Sequence, residues 1–122
     1  KGDLMSLKDI VDSFCIMYAA ANNRLEHSKA YEFMKDKTVF FIGKLLTDDL
    51  KNGDEISYMG IERESADGTS YEAVKCFLTK ESAEQYNDSK KPVSPANLAY
   101  LQAFWGKAVI IEPHRNYWIE FK

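Results

Sequence analysis

"VIIEPHRNYWIEF", residues 109–121, decides how the C-terminal part of this chain folds. An apolar run meets Pro113, which has no amide hydrogen to give a ladder, and an alternating pattern resumes at Tyr117. The pattern predicts a β-hairpin whose turn holds His114. Tyr117, Ile119 and Phe121 then face one way, and Asn116, Trp118 and Glu120 the other. The same stretch sets a histidine beside an arginine, a glutamate and a tryptophan, the makings of a catalytic cluster. A general base, however, needs a partner to orient it and a cleft to shield it. His114 in a solvent-facing turn has neither, so it reads as a turn residue.

Upstream of the hairpin, Ser94 with Pro95 behind it predicts a helix start, and Leu98, Leu101 and Trp105 make that helix's apolar stripe. Gly106 fits its left-handed cap. Before it, "SYEAVKCFL" reads as a strand in which Val74, Cys76 and Leu78 share one face and Tyr71, Ala73 and Phe77 the other. Thr79 then caps a short helix through "KESAEQYN". Asp67-Gly68 predicts a tight turn joining this strand to "ISYMGIERE", and Asn52-Gly53 marks another turn. "TVFFIG", residues 38–43, is apolar throughout and predicts a central strand covered on both faces.

The N-terminal segment is helical. Leu7, Ile10, Val11, Phe14, Met17, Tyr18 and Ala21 trace one stripe at helical spacing, started by a capping box of Ser6 and Asp9. Asn22 and Asn23 offer a stop and a second start, with helix two over 24–35. The expected architecture is a single α+β domain over residues 1–122. Residues 1–36 form N-terminal helices, and residues 37–122 form a mixed or antiparallel sheet of about five strands with two further helices packed on it. Val39, Phe41, Leu98, Leu101, Val109 and Ile111 are its expected core.

Composition narrows the function. With 122 residues, 45% hydrophobic and 29% charged, the chain has the make-up of a globular domain. A net charge of -3 lacks the positive field that neutralises phosphates, so a nucleic-acid groove is not expected. No run reaches the roughly 18 apolar residues of a membrane helix. The opening "KGDLMSLKD" has no signal-peptide core, which points to the cytoplasm. Lys1 in place of methionine leaves room for residues removed upstream. Cys15 and Cys76, far apart and flanked by apolar residues, read as buried reduced thiols, with a single disulfide between them as the alternative.

Catalytic signatures are missing. Neither His27 nor His114 has metal-ligand spacing to the other or to a cysteine, so no metal or cofactor is expected. Asp48/Asp49 and Asp54/Glu55 sit in polar loops, where carboxylate pairs are solvated. Aromatics say more. Trp118 falls on the polar side of its strand, and Tyr58 and Tyr71 lie on the preceding hairpin; each either packs as core under a helix or is available to a partner, and these three are the candidate protein-binding residues.

"VKCFLTKESAEQY", residues 74–86, resembles the strand-to-helix segment of the SseB (enhanced serine sensitivity) N-terminal domain family, with Phe77, Thr79 and Glu81 in the family's phenylalanine, threonine and acidic places and Leu78 interposed. "VIIEP" resembles the family's apolar strand ending in asparagine-proline, with Glu112 in place of the asparagine. "TVFFIG" is similar to its first strand. The resemblance implies an α/β sandwich-like domain without an established catalytic set. The expected function is a non-catalytic, cytoplasmic binding or regulatory module for a protein partner. The alternatives are a small-molecule-binding or hydrolytic domain with its pocket between the sheet and the fourth helix, or an immunity-type protein that neutralises a basic toxin.

Overall fold

Ser6 accepts a hydrogen bond from the backbone N–H of Asp9 at 3.2 Å and so starts α1 (Leu7–Ala21) where the capping box predicts. The computed structural model describes residues 6–44, 57–88 and 90–122; the pairs Asp48/Asp49 and Asp54/Glu55 and the Asn52-Gly53 turn lie outside them. Asn23 follows α1 with φ of 61°, the left-handed conformation that asparagine tolerates, and α2 (His27–Met34) begins three residues later than the sequence reading.

The chain then builds β1 (Thr38–Lys44), β2 (Ser57–Tyr58), β3 (Gly60–Glu64), β4 (Ser70–Phe77), α3 (Lys80–Gln85), β5 (Val93–Asn97), α4 (Leu98–Trp105), β6 (Ala108–Ile111) and β7 (Ile119–Phe121). The strand path is β2-β1-β4-β6-β7, with β5 also paired to β1 and β3 also paired to β4. The β4–β6 ladder is parallel and the others are antiparallel, giving the expected α+β domain with a mixed sheet. Gly68 alone takes positive φ in the β3–β4 turn, at 88°.

Ser94 and Pro95 do not open a helix. They lie in β5, opposite Phe41 and Phe40, and α4 starts instead at Asn97, whose side chain accepts from the N–H of Tyr100 at 3.0 Å. Pro95 has no hydrogen to donate, which an edge strand tolerates. The α1 stripe is also turned. Met17 and Ala20 are buried and Phe14 packs on the core, but Leu7, Val11 and Tyr18 are exposed, and so is Cys15. Only Cys76 is a buried thiol, its pKa pushed up by desolvation.

All six residues named as core are fully buried. Val39, Phe41, Val74, Cys76, Val109, Ile111, Ile119 and Phe121 project from one face of the sheet onto α1, α2 and α4. The other face holds a smaller cluster, Ile42 and Phe77 under Ala83 of α3. Between β4 and β6, therefore, the chain crosses one face on α3, pairs beyond β1 as β5, and returns across the opposite face on α4. Among the described residues no helix is long and apolar enough to cross a membrane.

Candidate functional site

Strand register determines which side chains share the face that α3 leaves uncovered. Arg63 lies opposite Tyr71, Lys75 opposite Ile110, and Ile110 opposite Glu120. Directly opposed residues point to the same side, so Arg63, Tyr71, Lys75 and Glu120 stand on one surface, and alternation adds Lys122. Trp118, just before β7, joins them.

The contacts on this surface form a band. Glu120 accepts from the Tyr71 hydroxyl and from Arg63 Nε, the latter at 3.2 Å. The Arg63 guanidinium lies 4.8 Å from the centroid of the Trp118 ring, and Lys122 Nζ 4.6 Å from that of Tyr71. A cation over an aromatic face is attracted to the ring quadrupole, so each pair orders both partners. Trp118 keeps 40% of its surface exposed.

At the α3 end, the His114 ring stacks on Tyr86 at 4.1 Å between centroids, with Phe77 behind, and Lys75 Nζ lies 3.4 Å from His114 Nε2. Burial, then the charges of Lys75 and Arg115, hold the His114 pKa below its usual value. His114 is an exposed turn residue, as the sequence indicates, but it has ring and cation neighbours that the sequence reading denied it. Among the described side chains no carboxylate hydrogen-bonds to it.

Behind the turn, Glu112 is 1% exposed and takes φ of 55°. Its carboxylate accepts from the backbone N–H of Leu78 at 2.9 Å and from the Ser82 hydroxyl at 2.8 Å, with Arg115 Nε 3.8 Å away. Both bonds run to the start of α3, so Glu112 fixes that helix to the end of β6. A buried carboxylate committed to two donors is a structural clamp, and a backbone φ that disfavours L residues persists because the clamp over-determines it.

The three aromatic candidates separate. Trp118 and Tyr71 share the band. Tyr58 does not: it packs with its ring 4.6 Å from Trp105 and donates to Glu72, which alternates to the helix-covered face. Desolvation, then the bond to Glu72, pushes the Tyr58 phenol up to about 12. Arg63, Lys75 and Lys122 escaped the sequence reading. "IERE", residues 61–64, carried the signal, since alternation sends Glu62 and Glu64 to one face and Arg63 to the other.

Among the described residues no group of three or more histidine, cysteine or acidic side chains is arranged to hold a metal ion. A cavity of about 610 Å³ opens at the end of the sheet beside α4, lined by Tyr31, Tyr71, Gln102, Lys107 and Lys122 among others. Comparison with known protein families, with curated proteins and with solved structures finds no match.

Proposed function

We propose that this chain is a non-catalytic, cytoplasmic binding module of SseB-like type, and that it receives a protein partner on the open sheet face around Trp118 and Tyr71. The observation that carries the reading is a large indole held half-exposed by a cation that is itself anchored to Glu120. Preordered aromatic surface is what interface hot spots use, because little side-chain entropy is left to lose on binding. The SseB resemblance rests on the sequence of its strand-to-helix element. Phe77 closes β4, and Thr79 caps α3 by accepting from the N–H of Ser82 at 3.1 Å.

The test is capture of partners by tagged protein from lysate of the source cell, compared with the Trp118→Ala variant. Loss of a captured protein, at a cost of about 2 kcal/mol or more in binding with melting little changed, is the expected result. Equal capture by the two proteins would remove the surface from consideration.

The cavity beside α4 favours a second reading, binding of a small molecule between the sheet and that helix. Lys107 and Lys122 in its lining would suit an anionic one. Thermal-shift titration with succinate and with inorganic phosphate tests it. A rise in melting temperature lost in Lys107→Gln supports this reading, and no rise with either anion sinks it.

A further inference from the structure

Charge is segregated across the sheet. On β3 and β4, Glu62, Glu64 and Glu72 alternate to the helix-covered side, whereas Arg63 and Lys75 alternate to the open side. Lys122 and Arg115 join the open side at its two ends, over Tyr71 and Tyr86 respectively. Against these four cations stand Glu120, already taken by Arg63 and the Tyr71 hydroxyl, and Glu112 beside Arg115. Glu112, buried with its oxygens bonded to Leu78 and Ser82, pairs with Arg115 Nε at 3.8 Å, and Arg115 also donates to Gln85 at 2.9 Å. Lys75 and Lys122 have no carboxylate within ion-pairing distance among the described residues. Asp67 feels Lys122 only weakly, its pKa being lowered chiefly by hydrogen bonds from Thr69. A chain of net charge -3 thus presents an open face with a surplus of positive charge.

Resting on the reading of this face as a protein-binding surface, we infer that the partner docks through an acidic peptide segment in which carboxylates alternate with apolar side chains. The carboxylates meet Lys75 and Lys122, and the apolar side chains meet the indole of Trp118. Complementary charge speeds encounter and fixes register, and like charge elsewhere on the chain rejects unsuited partners. Nucleic acid also has aromatic-stacking bases and negative charge, but its binding draws on a long-range positive potential that a net acidic chain does not supply.

Heteronuclear NMR titration of the whole chain tests this with three probes: a synthetic peptide alternating glutamate and leucine, the same peptide with lysine for glutamate, and single-stranded oligouridylate. The glutamate peptide is expected to shift the Trp118 indole signal and the amides of Lys75 and Lys122. Its affinity should fall about tenfold in Lys75→Gln/Lys122→Gln and fall again as salt rises. That variant replaces exposed or half-exposed ammonium groups with neutral ones, and unchanged melting verifies its fold. Equal binding of the lysine peptide, tighter binding of oligouridylate, or no shift on this face overturns the inference. The surface and its charge preference fail differently. If Trp118→Ala abolishes partner capture while Lys75→Gln/Lys122→Gln captures normally, the face stands and the acidic segment is wrong. If neither variant alters capture, the face itself is wrong.

Discussion

Arg63 lies between two residues of the β7 region, its guanidinium 4.8 Å from the Trp118 ring centroid and its Nε 3.2 Å from Glu120. One side chain thereby holds an indole at the surface and neutralises a carboxylate that is 10% exposed. Arg63→Ala removes both effects. It is expected to cost about 1–2 kcal/mol in urea unfolding, since a largely buried carboxylate loses its cation. Indole emission should shift to the red as Trp118 gains solvent. A variant as stable as the parent, with unshifted emission, would show that Arg63 orders neither partner.

Glu112 allows a sharper comparison. Glu112→Ala leaves the Leu78 amide and the Ser82 hydroxyl without their acceptor, and a loss of about 2–4 kcal/mol is expected. Glu112→Gly loses the same bonds but relieves the positive φ, so it should be about 1 kcal/mol more stable than the alanine variant. Chemical denaturation of the two side by side gives the answer. Alanine equal to or better than glycine would mean that the backbone conformation is not retained when the clamp goes.

Ile111 lies in the β4–β6 ladder opposite Cys76, fully buried. Truncating it to alanine should cost about 2–5 kcal/mol, the usual range for a buried aliphatic that leaves a cavity. Melting within a degree or so of the parent would be inconsistent with this placement.

His114 should titrate below its usual pKa, because burial and the charges of Lys75 and Arg115 disfavour the imidazolium. Lys75→Gln should raise the midpoint, as read from the ring proton shifts. The unfolded chain takes up the proton first as pH falls. Stability linked to His114 is therefore fully present above the unfolded pKa and is lost as pH drops through the folded one. An unmoved midpoint in Lys75→Gln would place the ammonium farther from the ring.

Much of this fold could be read locally. Ser6, Thr79 and Gly106 cap as their residue types dictate, and the alternation of Val109, Ile111, Ile119 and Phe121 assigns the buried face without reference to the rest of the chain. Ser94-Pro95 misled because a serine-proline pair fits a helix start and an edge strand equally well, and the choice was made by β1, more than fifty residues earlier. Exposure of Leu7, Val11 and Tyr18 could not be read either: the buried face of α1 runs through Ser13, Met17 and Ala20, turned from the apolar stripe. The open face was half legible. Trp118 stood out by alternation, but its cations come from β3, β4 and the chain end, and only register brings Arg63, Lys75 and Lys122 together.

The route from β4 to β6 bears on what a break in the chain would do. Residues after the exposed loop near Lys90 supply β5 and β6, which flank the β1–β4 pair on its two outer edges, with α4 joining them across the main core. A protease cut after Lys90 would therefore sever the backbone without releasing a piece, because the downstream fragment grips its partner like a clasp from both sides. The nicked protein should elute as one body and unfold in one transition, and the two fragments, mixed after separation in denaturant, should find each other again.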